Sequence, residues 1–198
     1  MTTIQKFLVI STVSVLSLAG AGVASAATQP TKASSAHANV VTKATVHKVA
    51  FNGSYKGTIK LLWSSSSATG TIASGKGTGT LLGASSMTGT GTGADTAYSD
   101  PFSGTGYLKS AKGALKLTIL KTKSSANAPD GVQSGPQSPP ATITVLGVAQ
   151  VVSGTGVYKG VSGTLKFTGS FSVSNSTAGT SESDGFTATL TGTLSIKK

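Results

Sequence analysis

The chain has 198 residues, no cysteine and 26 glycines, a length typical of a single domain. Sixteen lysines and no arginine stand against five acidic residues, which gives a formal net charge of +11 at pH 7. The lack of cysteine excludes disulfides, thiolate metal sites and lipid attachment through cysteine. The lack of arginine argues against sequence-specific binding of nucleic acid, because arginine matches base edges best.

Residues 1–26 have the features of a secretory signal peptide. Lys6 precedes an uncharged, mostly apolar run from Phe7 to Val23, and Ala24-Ser25-Ala26 supplies the small-x-small pattern that signal peptidase accepts. We therefore predict cleavage before Ala27 and a protein that is secreted or associated with the cell envelope. The alternative is an uncleaved anchor, because the apolar run is nearly long enough to span a bilayer. No later stretch is long and apolar enough to be a membrane helix.

The segment 27–48 is rich in Ala, Thr, Ser and Lys without a regular period, which predicts a flexible leader. Both histidines, His37 and His47, fall in this leader, where a mobile backbone cannot hold ligand geometry. Carboxylates are few and scattered, so we predict no metal site and no cofactor.

From residue 49 onward the dominant pattern has a period of two, typical of strands with one apolar and one polar face. In Phe186–Ile196, apolar or small residues alternate with threonine and serine. Similar alternation occurs in Tyr55–Trp63, Leu115–Ile119 and Leu165–Val173, whereas 143–152 is apolar on both parities.

Two stretches of unusual composition complete this region. The Gly/Thr/Ser-rich stretch 64–93 keeps the period of two, so we predict strands there and not disorder. The stretch 124–141 contains four prolines and is predicted to be an irregular loop. Residues 49–198 are therefore predicted to form one all-β domain of mostly antiparallel strands, closed into a barrel because closure removes exposed edges.

An internal repeat has a constant offset of fifty positions. Ser103-Gly104-Thr105-Gly106 and Ser153-Gly154-Thr155-Gly156 are each followed by a lysine, a glycine and Leu-Lys-x-Thr. Each copy predicts a strand end, a tight glycine turn and a new alternating strand.

The second copy, continued through Gly163, resembles the signature of the allene oxide cyclase-like and dirigent-like β-barrel families. In those families an apolar strand runs into a Gly-Gly-Thr-Gly-x-Phe-x-Gly-x-x-Gly turn, and Ser153 here replaces the first glycine. The resemblance covers about 140–196, with a weaker copy at 102–120. The residues that match the turn motif are Gly154, Thr155, Gly156, Tyr158, Gly160 and Gly163.

The resemblance implies a barrel of about eight antiparallel strands, often a trimer, with a cavity for an apolar small molecule. Enzymes of these families place polar and acidic residues on inward strand positions. In this chain the inward positions are Leu, Phe, Gly and Val, so the resemblance extends to the fold and not to the activity.

No candidate catalytic residue stands out. Asp95 with Asp100, and Glu182 with Asp184, are the nearest acidic pairs, and both are interpreted as turn residues. Serines are abundant but have no histidine partner in the folded region. Tyr55 and Trp63 share a strand face, so they form either a sugar-stacking platform or part of the core, and the core interpretation is favoured.

These observations predict a secreted, non-catalytic barrel that binds a small apolar ligand or an anionic envelope polymer. Lysine side chains attract anions as point charges, with binding that weakens as salt rises. One alternative is an isomerase or cyclase of the barrel families that acts on a small apolar substrate, and the other is a structural surface protein. A buried, inward-facing carboxylate would favour the enzyme, whereas a lysine stripe on the outer face would favour the polymer.

Overall fold

The computed structural model describes residues 45–95, 98–128 and 134–197. The predicted signal peptide, its cleavage site and residues 27–44 of the predicted leader lie outside these residues. The described chain forms nine β-strands and two short 3-10 helices, Lys121–Lys123 and Gly156–Tyr158. The strands are β1 (Val46–Trp63), β2 (Ser67–Gly79), β3 (Gly83–Ala94), β4 (Ser99–Ser110), β5 (Gly113–Ile119), β6 (Ser125–Asn127), β7 (Pro136–Gly154), β8 (Ser162–Asn175) and β9 (Ser181–Lys197).

Eight of these strands close into an antiparallel barrel in the order β1-β2-β3-β4-β5-β7-β8-β9, with β9 pairing back onto β1. The three-residue strand β6 bridges β4 and β7 beyond the end of β5. This confirms the predicted fold class, an all-β antiparallel barrel of eight strands.

The stagger of the barrel follows from its register. The paired residues can be followed from strand to strand around the barrel, starting from Lys60 on β1. After one full circuit this line of paired residues reaches β1 again at Ala50, ten residues earlier in the sequence. Such a stagger tilts the strands and fixes the width of the interior. Threonine occupies six outward positions on this line: Thr71, Thr90, Thr105, Thr118, Thr164 and Thr193.

Side chains fill one end of the barrel, which we call the plugged end. It carries the β2–β3, β4–β5 and β7–β8 turns. Leu82, Tyr158 and Val161 from these turns are at most 5% exposed and pack among the strand residues Leu108, Leu115, Leu165 and Leu194, each 0% exposed. Burial of these apolar side chains supplies the main driving force for closure. The opposite end, with the β1–β2 and β8–β9 turns, is called the far end.

The later parts of the two copies of the internal repeat have equivalent structures. Gly113 and Gly163 adopt φ values of 145° and 147°, which glycine tolerates best, and each lies at the start of a strand, β5 or β8. Leu115 and Leu165 then occupy equivalent positions and are fully buried. The opening segment of the first copy differs from the prediction, because Ser103–Gly106 lies inside β4 and not at a turn.

Several predicted boundaries shift. β1 begins at Val46, so His47 lies in a strand and not in the leader. The Gly/Thr/Ser-rich stretch 64–93 forms β2 and most of β3, as predicted. The predicted loop 124–141 contains β6 and the start of β7, so much of it is extended and paired.

Candidate ligand cavity

A cavity of about 220 Å³ lies inside the barrel between its middle and the far end. Its lining is almost wholly hydrocarbon. The larger residues that line it are Ile59, Leu61, Ile72, Met87, Phe102, Tyr107, Leu108, Leu117, Ile119, Val145, Phe167, Phe171, Phe186 and Leu190. Ala68, Ala94 and Ala126 line it toward the far end.

The cavity exists because several inward positions on one wall are glycines, which have no side chain to fill it. On β2, β3 and β4 the inward positions that line the cavity include Gly70, Gly89, Gly91, Gly93 and Gly106. Phe167, Phe171 and Phe186 project from β8 and β9. Phe167 meets Phe102 of β4 edge to face, with ring centroids 5.8 Å apart. The aromatic groups therefore stand against a glycine wall, and the space between them stays open.

The glycine wall depends on close strand approach. Gly104 lies between Phe102 and Gly106 on the inward parity of β4 and is counted with the wall, although it does not line the cavity. A Cβ added at Gly104 would collide with the carbonyl oxygen of Thr90 and lie 2.8 Å from the Cα of Gly91. At Gly89, an added Cβ would lie 2.8 Å from the carbonyl oxygen of Thr105. Larger residues at these positions would push β3 and β4 apart, so the sequence that leaves the cavity open also holds its wall together.

Tyr55 and Trp63, the candidate stacking pair, are 3% and 5% exposed and belong to the two core clusters. The Tyr55 hydroxyl lies 3.0 Å from the Ser85 Oγ, and Trp63 Nε1 donates to Glu182 Oε1 at 3.3 Å. Burial raises the pKa of Tyr55, an effect that the Ser85 hydrogen bond opposes and Tyr158 reinforces. The structure therefore places both rings in the core, away from the surface where a sugar would stack.

The four acidic residues that the structure describes lie toward the far end, and three of them lie in strands and not in turns as predicted. Asp100 lies in β4 and is 7% exposed, on the same inward parity as Phe102. Asp95 follows β3 directly, and its pKa is raised by burial and then by the charge of Asp100. In β9, Glu182 accepts hydrogen bonds from the backbone N–H groups of Ser174 and Asn175 as well as from Trp63.

Sequence reasoning did not find Asp100 as a buried carboxylate near the cavity. Its register partner on β6 is Ala126, which lines the cavity. The alternation of residues along β4 could have indicated this position. One face of β4 carries Asp100, Phe102, Gly104, Gly106 and Leu108.

The turn motif between β7 and β8 closes the plugged end. Gly156 and Gly160 adopt φ values of 59° and 78°, and Thr155 Oγ1 accepts a hydrogen bond from the backbone N–H of Ala114 at 3.0 Å. Tyr158 is 2% exposed, with its hydroxyl 3.0 Å from the Ser110 Oγ. The motif thus shapes a turn that inserts an aromatic plug.

Among residues 45–95, 98–128 and 134–197, no three His, Asp or Glu side chains come together in an arrangement that could hold a metal ion. Within the same ranges, no helix has the length and apolar character needed to cross a bilayer. Comparisons with protein families, with curated proteins and with solved structures find no match to this chain.

Proposed function

We propose that the protein is an exported, non-catalytic barrel that binds a small apolar molecule in its interior. The observation that carries this proposal is the hydrocarbon-lined cavity of about 220 Å³ between the glycine wall and the phenylalanines. Binding sites for small molecules are concave and mostly apolar, and this cavity has both properties.

The size of the cavity limits the ligand. An apolar cavity of about 150 Å³ holds benzene, so by proportion this one suits a compact molecule of roughly nine non-hydrogen atoms. The aromatic lining favours a flat or bicyclic hydrocarbon skeleton, since ring edges and faces pack well against phenylalanine. We therefore propose a neutral aromatic or terpenoid molecule of that size as the ligand class.

The resemblance of the 153–163 turn to allene oxide cyclase-like and dirigent-like barrels agrees with this proposal. The strand number, the antiparallel pairing and the apolar interior are what that resemblance implies. We propose a distant relation to those barrels, with the cavity kept and the binding specificity changed.

A second function, isomerase or cyclase, is favoured by one observation. Asp100 is a buried carboxylate on an inward position of β4, beside a residue that lines the cavity. An acid in this place could take a proton from, or return it to, a bound apolar substrate. The carrier is preferred because the described residues that line the cavity include no acid, lysine or histidine.

The experiment uses naphthalene as the probe, with its fluorescence titrated against the purified protein. The variant Ala188→Leu adds three carbon atoms at a residue that lines the cavity. Thr189→Leu, one residue along β9 on the exposed face, is the matched control. We expect Ala188→Leu to weaken naphthalene binding at least about tenfold, by steric exclusion from a packed interior, and the control to bind as the wild type does.

Equal binding by both variants, or no binding by the wild type, would overturn the carrier proposal. Native mass spectrometry of protein purified from an exporting host completes the test. It would show a retained apolar molecule, report whether the chain is cut before Ala27, and test the predicted trimer. Conversion of a retained molecule that stops in Asp100→Asn would instead establish the enzyme.

A further inference from the structure

A row of lysines crosses the outer face of the barrel wall. Lys56 on β1 lies directly opposite Lys76 on β2, Lys76 lies opposite Ser86 on β3, and Ser86 lies opposite Lys109 on β4. On β5, Lys116 pairs with Tyr107 and holds its Nζ 6.0 Å from the tyrosine ring centroid. We call Lys56, Lys76, Lys109 and Lys116 the lysine row.

The pairing within this row is unfavourable unless an anion is present. Adjacent strands are about 4.8 Å apart, so the first two lysines stand side by side and the third is about two strand spacings further on. Like charges directly opposite one another destabilise a sheet. The register therefore holds two positive charges together at a cost that a bound anion would remove.

The described acidic residues do not offset this charge. The described acids all lie toward the far end, whereas the lysine row lies nearer the plugged end, beside the hairpins that join β2 to β3 and β4 to β5. Because charges separated by more than about 10 Å are largely screened at physiological salt, the row keeps its own positive field. The described acids are Asp95, Asp100, Glu182 and Asp184.

The shape of the row distinguishes between possible anions. It extends from β1 to β5, which is half of the way around an eight-strand barrel. A flat bilayer can touch only a narrow part of so convex a wall, and duplex DNA is too stiff to bend around it, with a persistence length of about 50 nm. A flexible chain with an anionic group on each repeating unit can follow all four lysines.

We propose that the lysine row binds a flexible, linear polyanion of the phosphodiester or polyphosphate type. Ser86 lies in the middle of the row, where its hydroxyl donates a hydrogen bond to the backbone carbonyl oxygen of Lys109 at 3.5 Å. This site is on the outer surface and does not depend on the cavity or its ligand.

The test measures binding of long-chain inorganic polyphosphate to the full mature chain as a function of salt. Four lysine contacts predict that log K falls with log salt with a slope of about −3, because each released counterion contributes about −0.7 on a single flexible chain. The triple variant Lys56→Gln, Lys76→Gln, Lys109→Gln should show a slope of about −0.7 and at least a tenfold loss of affinity at low salt.

The control variant is Lys121→Gln, Lys123→Gln, Lys166→Gln, which removes the same charge outside the row. It should keep the wild-type slope, and melting curves should show that both variants fold. Equal weakening by both triple variants would overturn the proposal in favour of diffuse attraction by net charge. Tighter binding to anionic phospholipid vesicles or to duplex DNA than to polyphosphate would also overturn it. The row variant should bind naphthalene as the wild type does, so failure here is distinct from failure of the carrier proposal.

Discussion

Replacing Gly104 with alanine tests whether the glycine wall holds β3 and β4 together. The new Cβ would collide with the Thr90 carbonyl oxygen and lie 2.8 Å from the Cα of Gly91, and both of these are backbone atoms that cannot rotate away. Carbon atoms prefer separations of about 3.5–4.0 Å. The two strands must therefore separate by about 1 Å near this position, which strains the hydrogen bonds between them.

The expected magnitude follows from two opposing effects. Inserting a methyl group into a packed position typically costs about 1–3 kcal/mol, whereas replacing glycine inside a strand recovers about 0.5–1 kcal/mol of backbone entropy. The net loss in the free energy of unfolding is then about 0–2.5 kcal/mol, and its mid-range value of about 1 kcal/mol lowers Tm by about 2–4 °C in a domain of this size. Urea denaturation and thermal melts of Gly104→Ala against the wild type measure it.

Gly185→Ala is the matched control, because it makes the same substitution in a strand without steric contact. A Cβ at Gly185 would meet nothing within 4 Å, and its φ is not positive. This variant should therefore gain about 0.5–1 kcal/mol from the entropy effect alone. If Gly104→Ala melted at the same temperature as Gly185→Ala, close approach of β3 and β4 would not be the reason for glycine at this position, and the reasoning on the cavity wall would fail.

Three further predictions concern single polar groups. Lys76→Thr should raise Tm by about 1–4 °C at low salt by removing repulsion from Lys56, with the gain shrinking in high salt; an increase independent of salt would point to strand propensity instead. Asp95→Asn should stabilise the fold at pH 7, because the pKa of Asp95 is raised in the folded state and its charged form is therefore disfavoured there. That gain should disappear as pH falls below the ordinary value of 3.8, where Asp95 is protonated in both states, and urea midpoints at the two pH values test it. Tyr158→Phe should cost about 1 kcal/mol in urea denaturation by removing the hydroxyl that contacts Ser110 Oγ at 3.0 Å and the Leu81 carbonyl oxygen at 3.5 Å, and an unchanged midpoint would show that these hydrogen bonds contribute nothing to stability.

The strands could be predicted because their alternation is local. In β9, a single parity places Phe186, Leu190 and Leu194 inside, and a period of two alone indicates which face is apolar. The same logic identified strands in the Gly/Thr stretch despite its low complexity. Closure of the sheet into a barrel could also be predicted, because long threonine-rich strands with open edges would pair with other chains.

The cavity could not be predicted, because it depends on which strands face one another across the interior. Alternation shows that Gly91 and Phe167 both point inward, but not that a glycine wall stands against the aromatic side chains. The stagger of ten residues sets that relation, and it depends on bulges such as the one in β2, where Ala73 is an extra residue opposite Thr58 and Ile59 of β1. Those bulges have no clear sequence signal here, so the burial of Asp100 beside the cavity was missed as well.

The lysine row could not be predicted either, because it depends on the register between strands. The register brings together lysines that no sequence motif connects. Lys56, Lys76 and Lys109 are widely separated in sequence and carry no motif, so composition predicts only diffuse attraction to anions. Pairing across β1 to β4 places them on one line with Ser86 between them. A one-residue slip of β2 would turn Lys76 inward and bring Gly75 or Gly77 to the surface. The inward glycines that pack against Tyr55 and Phe186 prevent that slip, and so the packing that shapes the interior also fixes the charge pattern of the exterior.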